Sequence, residues 1–388
     1  MKYKICLIAM ILVNISCRQQ NKTAGDIPVI EVNVDNVSGD YDLAGDIDPN
    51  IEIIPLATDT ACLIGRIEDI QFANDSYYIL TGQGSDILRF SSSGQFLSSL
   101  KKKETGPDEY LKISGFAPIG ENIWVYDGFR SRLLCYDKNG KITESADTDG
   151  KIGWCHNMAV INNAIYLLND GDCSQASCFL LAVYDLESKK FTYSREFTPL
   201  SDNISKRTIR TKLSCADNAY TAAYTYCDTL FKLKDKTLEP EYRFSFSARM
   251  NNEPMTAEQL SQKGSDEIEG ITDLLQTQKS ILLVYADKGQ FRRAVYNKKT
   301  QTCTVYERLI NTDIGDLPLI DPVFLENGII LSIFSDTNVF VKYIHSKISK
   351  GKIKNKSAEA KFKTVLSELK EDSNPVIIRY KLKTESNL

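Results

Sequence analysis

The chain has 388 residues, 42% of them apolar, and a formal net charge of −4. That is enough apolar material for a large core, either in one β-rich domain or in two or three smaller ones. Acids (51) slightly outnumber lysine and arginine (47), and no zinc-finger, phosphate-loop or RNA-binding motif occurs, so nothing supports nucleic acid as a partner.

Lys2 and Lys4 precede an eleven-residue apolar run, Ile5 to Ile15. It is shorter than the roughly 20 residues of a membrane-spanning helix and reads as the core of an export signal. The run ends in Val13-Asn14-Ile15-Ser16-Cys17, followed at once by polar Arg18 to Lys22. This resembles a bacterial lipobox, with Asn14 where leucine is usual, and it predicts a lipid on Cys17. Residues 1–17 are then the signal peptide and 18–50 a tether and leading segment. The stretch after Cys17 has no acid before Asp26, which points to a periplasm-facing position on the outer membrane. Eight cysteines remain after Cys6 and Cys17, in a compartment where disulfides persist. None has C-x-x-C spacing; Cys173 and Cys178 flank four residues and form the disulfide candidate.

From residue 51 onward a repeat dominates. Short runs ending in an aromatic recur at Phe90, Tyr136, Tyr184, Phe231 and Tyr296, spaced 46, 48, 47 and 65 residues apart. Turn residues follow most of them, among them Asn139-Gly140, a strong hairpin signal. Two strand-like stretches precede each run and one follows it. Four strands per period of about 47 describe a propeller blade. The sixth anchor is not Tyr343, because Val339, Phe340, Tyr343, Ile344 and Ile348 recur at helical spacing. Val376 to Tyr380, after Asn374-Pro375, fits better, and Ile51 to Leu56 supplies that blade's outer strand from the other chain end. The prediction is an all-β, six-bladed propeller over 51–388, with insertions at 251–269 and 337–372 that both read as helical.

Thr105-Gly106-Pro107-Asp108-Glu109-Tyr110, Asp228-Thr229-Leu230-Phe231-Lys232-Leu233 and Glu371 to Ile377 resemble motifs of the six-bladed propeller lipoproteins of Bacteroides-type bacteria. These are distantly similar to NHL-repeat propellers. Glu104 stands where that family has a glycine. The resemblance implies fold and compartment and carries no general activity.

In a four-stranded blade, the connections between second and third strands, and between successive blades, share one face. The irregular segments Glu104 to Tyr110, Asp170 to Cys178, 251–269 and 337–372 all fall there, and loops on a rigid scaffold carry function. Ligand-binding candidates at that mouth are Tyr110, Asp127, Arg130, Trp154, His156, Asp170 and Asp172, which suit a polar, ring-containing ligand. Only two histidines occur, His156 and His345, which argues against a histidine-rich metal site. Asp313 and Asp316 hint at calcium, and no other cofactor is implied. Binding of a glycan or protein partner is therefore favoured over catalysis. The alternative is a carboxylate- or calcium-dependent lactonase, lyase or glycoside hydrolase.

Overall fold

Alternating apolar positions and turn residues make each repeat an up-and-down antiparallel sheet. The computed structural model describes residues 27–383 apart from 107, 171–177, 198–210, 217–218, 225–226, 247–267, 269, 288–289, 321 and 326–327. Sheet one is built from Asp69–Ala73, Ser76–Thr81, Asp86–Ser91 and Phe96–Lys101. Sheets two and three begin at Ile113–Ile119 and Asn157–Ile161, sheets four and five at Thr211–Ala216 and Gly270–Gln276. Sheet six uses Val323–Leu325, Ile329–Phe334, Val376–Lys381 and, from the other chain end, Glu52–Pro55. The innermost strands of sheets one to five touch in succession, and Val323–Leu325 returns to Asp69–Ala73.

The propeller is as expected, but seven sheets form where the repeat predicts six. The additional sheet has three short strands, Leu309–Asn311, Leu317–Pro318 and Tyr41–Asp42. Strands of two or three residues show no periodicity, and the pairing of Leu309 with Tyr41 spans most of the chain. The leading segment, expected as a tether, contributes strands to the propeller. Val29–Glu31 adds a parallel strand to the outer edge of sheet four, and Val37–Ser38 does the same for sheet five. Ile30, Val32 and Val34 are buried there with Leu230, Phe244 and Leu283. An added outer strand covers edges that would otherwise present unpaired backbone.

Face-to-face packing of the sheets explains which strands are apolar throughout. Ser76–Thr81 is buried at every position, whereas the outer strand Ile142–Asp147 alternates. The repeat aromatics Phe90, Tyr136, Tyr184 and Phe231, and Tyr380 of the sixth sheet, are buried between neighbouring sheets, whereas Tyr296 is half-buried. Tyr136 meets Tyr110 edge-on at 6.0 Å and Tyr184 meets Trp124 at 5.7 Å.

Both chain ends are fastened at one residue. Asn374, 3% exposed, donates from Nδ2 to the carbonyls of Ala57 (2.7 Å) and Cys62 (2.9 Å), and its Oδ1 accepts from the Ile64 amide (2.9 Å). A buried amide satisfied on both sides explains why Asn precedes Pro375 in this motif.

The 337–372 insertion holds two helices, α1 (Thr337–Ser349) and α2 (Lys356–Glu368). Asp336 and Asn355 cap their N-termini through Val339 N and Ala358 N. Phe340 packs against Phe334 of sheet six at 4.9 Å and against Phe362 at 6.1 Å. The other expected helical insertion, 251–269, lies outside the described residues except for 268, which is buried. No helix among the described residues is long and apolar enough to cross a membrane.

Candidate functional site

The inner strands enclose an axial cavity of about 650 Å³. Sheets one to six all reach it, and Arg66, Gln71, Asp273 and Arg293 bring polar groups to an otherwise mixed wall. A smaller recess of about 80 Å³ adjoins it and shares Glu68, Asp69 and Asn157. Its remaining wall includes Lys112, Trp154 and His156. These residues begin the inner strands of sheets one, two and three, so the recess lies on the face where the irregular connections emerge. A water occupies about 30 Å³ of liquid. The recess therefore admits a functional group, and the axial cavity has the size of a small-ligand site.

Three of the candidate residues at this mouth are occupied by the protein itself. Tyr110 is fully buried; its hydroxyl donates to Ser85 O at 2.6 Å and accepts from Lys102 N at 3.0 Å. Burial pushes its phenol far above the ordinary range. Asp127, also fully buried, accepts from the amides of Leu111 (2.9 Å), Phe129 (3.1 Å) and Arg130 (3.4 Å). The Arg130 guanidinium donates to the carbonyls of Thr105, Gly106 and Glu109 at 2.9, 3.0 and 2.8 Å. The Glu109 carboxylate accepts from Gly106 N at 2.6 Å, where a Cβ on Gly106 would collide with it. Gly106, Glu109 and Tyr110 thus belong to a hydrogen-bonded interblade turn, and Tyr110, Asp127 and Arg130, expected as ligand candidates, spend these groups on the protein's own backbone.

The next sheet treats its residues differently. Trp154 is half-buried, with Phe129 edge-on at 5.0 Å and His156 stacked at 6.2 Å. Lys112 Nζ stands 5.1 Å over the indole. Gly128 lets the indole seat: a Cβ there would lie 3.0 Å from Trp154 Cε3. Asp170, 4% exposed at its side chain, holds His156 twice, through its backbone amide at 3.1 Å and through Nδ1. The imidazole is therefore fixed with Nε2 as its remaining nitrogen, on a side chain that is 31% exposed. Cys155 between them is no nucleophile, because burial, helped by Asp170, pushes its thiol well above the ordinary value.

The recess thus combines two carboxylates, an ammonium, an oriented imidazole and an indole. Of the residues expected at this mouth, Trp154 and His156 line the recess and Asp170 holds His156, while Glu68, Asp69, Lys112, Asn157 and the exposed Phe129 were not among those expected. Their signal was position, at or just before the first residue of an inner strand or within the turn of a neighbouring sheet.

Asp172 and Cys173 lie outside the described residues, while Cys178 is disulfide-bonded. Cys62, Cys135, Cys155, Cys227 and Cys303 are free thiols. Asp313 and Asp316 are in the turn of the three-stranded sheet, far in sequence from the recess. The Asp313 carbonyl accepts from the amides of Lys354 and Asn355 at 2.9 and 2.8 Å, and Asp316 pairs with Lys347 at 3.4 Å. Among the described residues no group of three or more His, Cys, Asp or Glu side chains could hold a metal ion.

Fold and mouth together define a β-propeller with a polar, aromatic recess beside its axial cavity. The chain belongs to the family described as domain of unknown function DUF4934, which matches residues 27–381. In fold it is similar to a Bacteroides fragilis protein classed as exported, at 15% identity and a TM-score of 0.65, covering 92% of this chain and 100% of that one. A member of the DUF4221 family from Bacteroides vulgatus is similar at 12% identity and a TM-score of 0.50, covering 88% and 99%. At such identities the likeness is one of fold. No curated protein matches the chain.

Proposed function

We propose that this is an exported propeller of six full blades plus an accessory sheet, distantly NHL-like and tethered to the outer membrane by a lipid on Cys17. In this reading it faces the periplasm and binds a glycan or a protein partner at its mouth. The observation that carries the binding role is the convergence of Lys112, Trp154 and the Asp170-held His156 on a recess adjoining the axial cavity. An indole face with polar groups at its rim is suited to stacking on a ring and fixing its hydroxyls.

Intrinsic fluorescence tests this reading, because the chain has two tryptophans and Trp124 is buried. Titration with a panel of neutral and acidic oligosaccharides is expected to change the emission of Trp154. Trp154→Ala should remove that response and weaken binding about tenfold, the size of roughly one stacking contact. A ligand that binds the variant unchanged would place the site elsewhere.

One feature supports a second reading, an enzyme at the same mouth. An imidazole held at Nδ1 by a buried carboxylate is the arrangement of a general base. Turnover abolished by His156→Ala while binding persists would favour catalysis.

A further inference from the structure

Residues 342–370 contain nine lysines, two glutamates and no arginine. Their formal charge is +7, so the rest of a chain whose total is −4 carries −11. Eight of the nine lysines are exposed, Lys347 being the half-buried one.

The fold arranges these charges on one ordered edge. The helices α1 and α2 turn Phe340, Ile344 and Phe362 into the core against sheet six, with Val365 buried as well and Val339 left exposed. The connection between the helices is pinned from below. Ile353, 2% exposed, bridges to Ile314, and the Asn355 side chain donates to Pro49 O at 2.7 Å. Lys350, Lys352, Lys354 and Lys356 therefore alternate along a fixed strip around a buried isoleucine. Acids neutralise only part of the edge: Glu359 pairs with Lys356 and Lys363, and Asp316 with Lys347. Among the described residues, Lys342, Lys350, Lys352, Lys354 and Lys370 have no acid within ion-pair distance.

The chemistry of the edge favours a diffuse anionic surface over a discrete ligand. Bidentate recognition of one discrete phosphate or carboxylate draws on the planar fork of arginine, and this segment has none. A sugar would draw on aromatic faces, but Phe340 and Phe362 are buried in the helix packing. Neither cavity described above has one of these lysines on its wall. Lysines serve as flexible point charges, which is what an anionic headgroup layer requires.

We propose that this lysine edge docks the propeller on an anionic membrane surface, through the phosphates of the headgroups. The chain from residue 18 onward keeps every described residue and lacks Cys17, so it tests the edge independently of any lipid. In co-sedimentation it should bind vesicles of phosphatidylcholine mixed with phosphatidylglycerol, fail to bind phosphatidylcholine alone, and release in high salt. Lys350→Glu, Lys352→Glu and Lys354→Glu together should weaken binding by roughly a hundredfold or more, at about 1 kcal/mol per lysine. The matching triple change to arginine should bind as before. If the glutamate variant melts early, the triple change to glutamine is read in its place, with a loss of at least about tenfold. Absent binding to anionic vesicles, equal binding to neutral ones, or undiminished binding by a folded charge variant would each overturn the proposal. Binding to heparin but not to vesicles would also overturn it, and would assign the edge to an acidic glycan.

Discussion

Two neighbouring stretches of the same face, the Gly106–Tyr110 turn with Asp127–Arg130 and the Trp154–Asp170 region, carry similar residues and use them oppositely. Both combine aromatic, acidic and basic or imidazole side chains. In the first, every polar group named above ends on the protein's own backbone: Asp127 on three amides, Arg130 on three carbonyls, Tyr110 on Ser85 and Lys102. In the second, Asp170 fixes His156 while the imidazole, the indole and Lys112 line the recess. Residue type does not separate a turn from a site; the destination of the hydrogen bonds does. Arginine satisfied by three carbonyls has little left for a ligand, whereas an imidazole anchored at one nitrogen is both oriented and available.

Substitutions should divide along this line. The largest effect is expected at Tyr110→Ala, which removes a fully buried aromatic and its hydrogen bonds; the loss should be about 4 kcal/mol in chemical denaturation. A loss below about 1 kcal/mol would mean the turn is not structural. Asp127→Ala leaves three amides without their acceptor and should cost about 3 kcal/mol by the same measurement. Gly128→Ala tests the boundary between the regions. Its Cβ would crowd Trp154 Cε3 and Ser114, costing about 1–2 kcal/mol and shifting the emission of the indole. A change of about 1–2 kcal/mol is expected at His156→Ala, because the imidazole is partly exposed but its loss takes one partner from the buried Asp170 carboxylate; the larger consequence should show in ligand binding. If His156→Ala destabilises more than Asp127→Ala, the two regions have been assigned the wrong way round.

Much of the architecture was legible because its signals are local and repeated. Aromatics 46–48 residues apart, hairpin turns such as Asn139-Gly140 and the helical spacing around Phe340 and Phe362 each report on a few residues at a time. Even the closing strand could be read, since Glu52–Pro55 pairs with Val376–Lys381 and supplies the strand that sheet six otherwise lacks. The alternation of Ile30, Val32 and Val34 was equally local, and it was passed over as tether.

By itself, then, the sequence determined the strand-and-turn periodicity, the propeller class and the helical character of 337–372, because pleat and helix repeats are properties of adjacent residues. Only the tertiary structure decided the seventh sheet and which mouth residues remain available. Those depend on pairings between distant positions: Leu309 with Tyr41, Arg130 with Thr105, Tyr110 with Ser85, Asn374 with Cys62. A buried polar group must find a partner, and which partner it finds is set by where the chain returns, not by its neighbours in sequence.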